Sequence, residues 1–312
     1  FEECKKLVLR ATAPLGSKYT DIVKSGFENR WIDVYPNKGK RSGAFSSGTY
    51  DSNPIILSNY MGVLDSVSTI AHEMGHSMHS WFSNHTQQPQ NAEYTIFVAE
   101  VASTVNEILL IEMLLKDNEE IMQEMKEKKE SGQEPEIDDF SLLMARFSLL
   151  NHYLESFKGT VFRQTMFAEF EKKAHDKAEQ GEALNATVFN DIYKELIKDY
   201  FGPELVIDDE VQYEWARIPH FYSPFYVYKY ATSYAASVAI ADGILNGGQE
   251  NVDNYLKFLT LGGSLDPLDE LKVAGVDWST KGPMDKALER FGEILNDACD
   301  VYDRLMGVKI KF

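Results

Sequence analysis

The sequence predicts a mainly α-helical protein with one small antiparallel β-sheet. Three observations carry that expectation. After Gly62, apolar residues recur at helical spacing almost to the end of the chain. Clusters of β-formers bounded by turn residues are confined to the stretch from Arg30 to Leu57. The composition, 44% apolar and 26% charged, is that of a globular chain, and no apolar run approaches the ~18 residues a membrane span needs.

The elements follow in order. Residues 1 to about 27 carry Leu7, Leu9, Ala13, Ile22 and Val23 at helical spacing, broken at Ala13-Pro14-Leu15-Gly16. Three strand-like clusters come next: Trp31-Ile32-Asp33-Val34-Tyr35, Ser42-Gly43-Ala44-Phe45-Ser46 and Pro54-Ile55-Ile56-Leu57. Pro36-Asn37-Lys38-Gly39 and Asp51-Ser52-Asn53 separate them. A helix is expected from about Asp65, its N-cap, to Phe82, a loop over 83–90, and a second helix from about Thr95 to Leu115. Residues 117–139 are charged and weakly apolar, with Ser131-Gly132 and Glu134-Pro135 as breakers, and read as a solvated loop or frayed helix. Long helices follow at about 140–179 and 186–201.

Charge and cysteine content narrow the function. The chain has 31 Lys and Arg against 49 Asp and Glu, a formal charge of −18. Nucleic-acid binders neutralise phosphates with clustered cations, and docking on anionic lipid needs polybasic segments, so neither is expected as a partner. Cys4 and Cys299 make no disulfide framework, which points to a reducing compartment. The chain begins Phe1-Glu2-Glu3-Cys4, without a Met or signal-peptide pattern, and reads as the C-terminal piece of something longer.

The informative segment is Ala71-His72-Glu73-Met74-Gly75-His76-Ser77-Met78-His79. It holds the pattern H-E-x-x-H. Residues four apart lie one turn above each other on a helix, so His72 and His76 can reach one Zn²⁺. Glu73 lies beside that face, placed to act as a base on a zinc-activated water. Gly75 in mid-helix costs about 1 kcal/mol relative to Ala, a cost that makes sense where a second backbone approaches closely.

A catalytic zinc site wants a third protein ligand. His85, Glu93, Glu100, Glu107 and Glu112 are the candidates between Trp81 and Lys116. Glu100 is the expected ligand: its neighbours Val98, Ala99, Val101 and Ala102 are small or β-branched and apolar, a costly place for an unpaired carboxylate. Glu107, on the same helical face, is expected to hold the free N–H of a ligand histidine. His79 reads as a packing or supporting residue, and His85, His152 and His175 as surface residues.

A second cluster runs from Trp215 to Tyr230. Ser223-Pro224 reads as an N-cap followed by Pro at the first helical position, so a helix is expected from about Pro224. His220 and Tyr222 then lie on the approach and Tyr228 one turn inside. These three are equally readable as oxyanion donors or as core, whereas Phe221, Phe225 and Tyr230 read as a core stripe.

With those motifs in view, the sequence resembles the oligoendopeptidase F family, thimet-oligopeptidase-like zinc metallopeptidases. The residues that carry the resemblance are the His72–His79 motif, Phe97-Val98-Ala99-Glu100-Val101-Ala102-Ser103, Pro219-His220-Phe221-Tyr222 and Phe225-Tyr226-Val227-Tyr228. Arg30–Tyr35, Lys40–Ala44 and Leu150–Leu154 add to it. The resemblance implies a multi-helical, zincin-like fold with the small sheet beside the active site. It implies one Zn²⁺ per chain on His72, His76 and Glu100, Glu73 as general base, and His220, Tyr222 and Tyr228 in contact with the substrate or its tetrahedral intermediate; Tyr226 is an alternative to Tyr222. It implies zinc-dependent endopeptidase cleavage of short unstructured peptides in the cytoplasm, with a non-catalytic peptide-binding remnant as the alternative. Residues 1–312 are then one catalytic metallopeptidase domain: a β region at about 30–57, zinc helices at about 65–115 and a helical remainder at 140–312. Family members are about twice as long, so an N-terminal segment of the same protein is an expected partner beside the peptide substrates. Substrate is expected to lie along a sheet edge near Gly43-Ala44-Phe45.

Overall fold

The structure, a computed structural model, describes residues 1–307. It contains twelve α-helices and one three-stranded sheet among the described residues. They form two compact units, residues 1–154 with those from 233 onward, and residues 155–232.

The first unit opens with α1 (Glu2–Ala11) and α2 (Ser17–Glu28), joined by a single 3₁₀ turn at Ala13–Leu15. Strands β1 (Ile32–Asp33), β2 (Phe45–Ser47) and β3 (Ile55–Leu57) follow in the spatial order β1-β3-β2. The expected antiparallel sheet is mixed. β2 and β3 are a hairpin with Ser46 opposite Ile56, but β1 runs parallel to β3 with Ile32 opposite Ile56. Eleven intervening residues give the chain room to cross back, and Lys40 stabilises that passage by donating to the carbonyls of Asp33 and Tyr35 at 3.0 and 2.8 Å. Ile56 is fully buried, and Ser46, its neighbour on that face, bonds Ser77 of the next helix at 2.9 Å.

That helix, α3 (Leu64–Thr86), runs one turn beyond expectation, and its N-cap is Val63; Asp65 stands inside the first turn. Its buried residues Val67, Ile70, Met74, Met78 and Phe82 recur every three or four positions. A short turn of helix, α4 (Pro89–Ala92), leads to α5 (Ala99–Glu130), against which α3 packs most extensively. Gly75 is where the two backbones meet: a Cβ there would lie 2.5 Å from the Cα of Ser103. The close approach expected from the sequence is present. Behind it, the buried amide of Asn106 accepts from Tyr19 Oη at 3.0 Å and donates to the Ala71 carbonyl at 3.1 Å, tying α2, α5 and α3 together.

Residues 117–130, expected as loop or frayed helix, continue α5. Asp117 takes a two-pronged bond from Arg10 at 2.7 and 2.8 Å, and Met125 is buried. Lys128 pairs Glu124 one turn back at 2.8 Å. The predicted breakers act where the helix ends, with Gly132 at φ 79°. α6 (Asp139–Phe157) follows and runs through a π turn at Lys158–Phe162 into α7 (Arg163–Glu179), so the segment read as one long helix is continuous with a π turn inside it.

The second unit is built on α7 and α8 (Ala186–Phe201). Met166, Phe167, Phe170, Tyr193, Leu196 and Ile218 form its core. Glu214 is held there by Arg163 at 2.5 Å and by the Tyr193 hydroxyl at 2.6 Å. The chain continues into α9 (Tyr228–Asn246), α10 (Gln249–Phe258), α11 (Pro267–Val273) and α12 (Gly282–Met306). In the first unit, Ser233 and Ser237 of α9 donate to the carbonyls of Phe97 and Val101 at 3.1 and 3.0 Å, bracing the start of α5. No described helix is long and apolar enough to cross a membrane.

Candidate metal centre

His72 and His76 stand one turn apart on α3, and Glu100 comes from the first turn of α5. Their ligand atoms converge. The two Nε2 atoms are 3.2 Å apart, and each lies 3.4 Å from Oε2 of Glu100. A tetrahedral zinc site with bonds of about 2.0–2.1 Å has ligand-to-ligand edges of about 3.3–3.4 Å. Two imidazoles and one carboxylate at these separations therefore fit a divalent cation with one coordination position left open.

The surroundings orient these atoms. Glu107, two turns along α5 from Glu100, takes His72 Nδ1 at 3.1 Å, which leaves the Nε2 lone pair facing the point of convergence. Ser68 donates to the other Glu107 oxygen at 3.2 Å, and Ser103 donates to Glu100 Oε2 at 3.2 Å. Burial works against a charged His72, but the Glu107 and Glu100 carboxylates outweigh it and hold the imidazole well above its usual range. Burial pushes Glu100 up, yet hydrogen bonds to His72 and His76 bring its carboxyl well below the usual carboxylate range. The His72 shift reports the two carboxylates that face it, and the Glu100 shift reports a carboxylate kept ionised by the two imidazoles, a negative ligand available to a cation.

Glu73 is buried beside the trio, and burial raises its pKa. Its Oε2 has no hydrogen-bond partner among the described residues. An unpaired buried carboxylate oxygen is costly unless a water or ligand meets it.

The other histidines and carboxylates separate. His79 is 1% exposed and stacked on Tyr94, with ring centroids 3.7 Å apart, and burial pushes its pKa down to about 3. It packs between Tyr94 and Phe258, the packing role read from the sequence. Tyr94, which sequence reasoning missed, also bonds Ser80 at 3.0 Å. His85 stacks on Trp81, and Glu112 is paired with Arg290 at 2.7 Å.

The aromatic segment lies in the second unit up to Thr232 and differs from expectation. The helix starts at Tyr228, not near Pro224. Phe225 interrupts it at φ 55°, its N–H donating to the buried Glu171 at 2.6 Å, a tertiary bond the local pattern could not show. Tyr228 is thus the first helical residue. His220 stacks on Tyr226 at 5.5 Å and meets Tyr230 edge-on at 6.0 Å, and the two tyrosine hydroxyls lie 3.2 Å apart. Within this unit His220 is grouped with Tyr226 and Tyr230, while Tyr222 is 89% exposed. Of the expected core stripe Phe221 packs against Phe167 and Phe170, Tyr230 is half-buried and Phe225 is exposed. The signal for Asn106 was available: a polar amide in the apolar run of α5 needs a partner. Tyr94 carried none.

The family model for peptidase family M3 matches residues 5–290. Oligopeptidase PepF of Bacillus subtilis (strain 168) is 46% identical over 309 residues, covering 99% of this chain and 42% of that protein. An oligoendopeptidase F homolog of Lactococcus lactis subsp. lactis is 43% identical over 297 residues, covering 95% and 46%. The crystal structure of oligoendopeptidase-F from Enterococcus faecium superposes with a TM-score of 0.68 at 34% identity, over 97% of this chain and 44% of that one. The chain thus spans about half the length of the relatives it matches.

Proposed function

The chain belongs to peptidase family M3, and from that premise we propose that it carries the catalytic machinery of a zinc-dependent endopeptidase acting on short, unstructured peptides. The observation that supports this most is the convergence of His72 Nε2, His76 Nε2 and Glu100 Oε2, with Glu107 on the far nitrogen of His72. Those three residues would hold the metal, one ion per chain. A bound zinc ion supplies Lewis acidity there, lowering the pKa of water to about 7 and polarising a carbonyl oxygen.

The chain's own groups do the rest. Glu73, with a free buried oxygen, accepts a proton from the attacking water and passes it to the departing amine nitrogen. Glu107 keeps His72 in one tautomer and orientation. The free edge of β2 offers unpaired backbone groups to an extended peptide, which would add a strand. His220, Tyr222 and Tyr228 keep the role the family resemblance implies, contact with the substrate or its tetrahedral intermediate.

Glu73→Gln tests the reading, because it preserves shape and removes the base. The variant should keep zinc and peptide affinity while turnover of a quenched fluorescent peptide falls at least ~10²-fold. Near-normal turnover would sink the mechanism. Peptide binding by the unmodified chain with no turnover would favour the non-catalytic alternative.

A further inference from the structure

A cavity of about 550 Å³ lies in the same unit as the metal trio. Its position follows from helix geometry. His72, His76, Ser80 and Asn84 are four successive i, i+4 positions on α3, each about 6 Å beyond the last. The row that starts at the trio therefore runs on into the cavity, which Ser80 and Asn84 line. The cavity is also lined by Ala99, the residue before Glu100, and by Ser47 at the end of edge strand β2 with the turn that follows it. A peptide laid on that edge would present side chains to this space.

The charge of the cavity is one-sided. Glu93 is its only charged lining residue, and its side chain is exposed. The remaining polar groups are hydroxyls and the Asn84 amide, and no Lys, Arg or His lines the wall. Ile96 and Pro54 add apolar surface. A long apolar stem ending in a cation matches this combination, the stem on the apolar wall and the head on the carboxylate. An acidic side chain would meet like charge.

We propose that this cavity is a specificity pocket for a Lys or Arg side chain of the peptide substrate, with Glu93 as its counter-ion. Glu93 then sets which peptides are cut without touching the reacting atoms. The inference rests on the peptidase reading for its occupant, a substrate peptide, and on the cavity alone for its chemistry. The net charge of −18 acts in the same direction, drawing cationic peptides to the molecule at low salt.

The test uses a neutral quenched fluorescent peptide and versions with a single Lys or a single Glu walked through each position around the cleaved bond. The reading is the ratio of kcat/KM for the Lys and Ala peptides within each protein, so a general loss of activity does not imitate it. In the unmodified chain one position should favour Lys by about tenfold, the worth of one hydrogen bond to a charged group, and disfavour Glu. Glu93→Gln should bring that ratio close to one, Glu93→Asp should retain part of it, and Glu93→Lys should reverse it toward Glu. A Lys preference that survives in Glu93→Gln, or no position that prefers Lys, overturns the pocket. If the unmodified chain cuts none of the peptides, the peptidase reading fails by itself. Fluorescence anisotropy with the same labelled peptides then decides the pocket: preferential binding of Lys peptides that Glu93→Gln abolishes supports it, and equal binding refutes it.

Discussion

In α3 and α5 the groups proposed to hold zinc project from the middle of one long helix and the first turn of another, the two locked backbone to backbone at Gly75, with Asn106, Ser103 and Glu107 bonded behind them. The His220–Tyr228 segment is built from a 3₁₀ turn, a left-handed Phe225 and the first residue of α9, and several of its side chains are exposed. The contrast is one of preorganisation. A metal site needs ligand atoms held to within a few tenths of an ångström before the ion arrives, and two helices fixed against each other supply that. Groups that meet a peptide or its transition state can sit on irregular chain whose local stability is lower.

Three substitutions press on that contrast. The largest effect is expected at Glu100→Ala, which removes one of three converging atoms and leaves two imidazoles alone. Zinc measured by mass spectrometry after gel filtration should fall from one equivalent to background, and peptide turnover with it. Normal zinc content would move the third ligand to another carboxylate, with Glu107 first in line.

Next comes Tyr228→Phe, which removes a hydroxyl and little else. If that hydroxyl stabilises the oxyanion, kcat should fall about 10²–10³-fold with little change in KM, zinc content or thermal midpoint. Tyr226→Phe is the paired control. Because His220 is grouped with Tyr226 and Tyr230, a kinetic defect confined to Tyr226→Phe would transfer the role to that hydroxyl and leave the zinc chemistry intact. A loss of stability with normal kcat in both would return the whole segment to packing.

The smallest effect belongs to Gly75→Ala. Helix propensity favours Ala by about 1 kcal/mol, but the new methyl meets the Ser103 backbone, where overpacking costs about 1–3 kcal/mol. Backbone cannot rotate away as a side chain can. The thermal midpoint should drop by several degrees, and zinc affinity should weaken because α5 carries Glu100. An unchanged midpoint would mean that the two helices slide freely and that the first region is less rigid than its contacts imply.

Much of this molecule is legible without coordinates where information is local. The spacing of His72 and His76 is a property of any helix, the misplaced Gly75 marks a helix crossing, and Glu100 stands out as a carboxylate among small apolar neighbours. Charged residues 117–130 fit a solvated loop or frayed helix by polarity alone; ion pairs along the helix and the Arg10–Asp117 bond from α1 keep them helical. Ser223-Pro224 misled because a helix-start pattern is permissive, and Glu171, fifty-four residues before Phe225, decides where α9 begins.

What the sequence determined by itself is the period, the residue types proposed as ligands and the identity of the helices that carry them, since each depends on residues within one or two turns. Only the tertiary structure decided that β1 runs parallel to β3, that Glu107 reaches His72 and that His220 keeps company with Tyr226 and Tyr230. It alone set Glu93 at a cavity one turn beyond the trio. The strand pairing, the Glu107 contact and the cavity join segments far apart along the chain. The His220 grouping turns on a loop held by the distant Glu171. Such placements follow from packing and hydrogen-bond satisfaction over the whole unit and leave no periodic trace in the sequence.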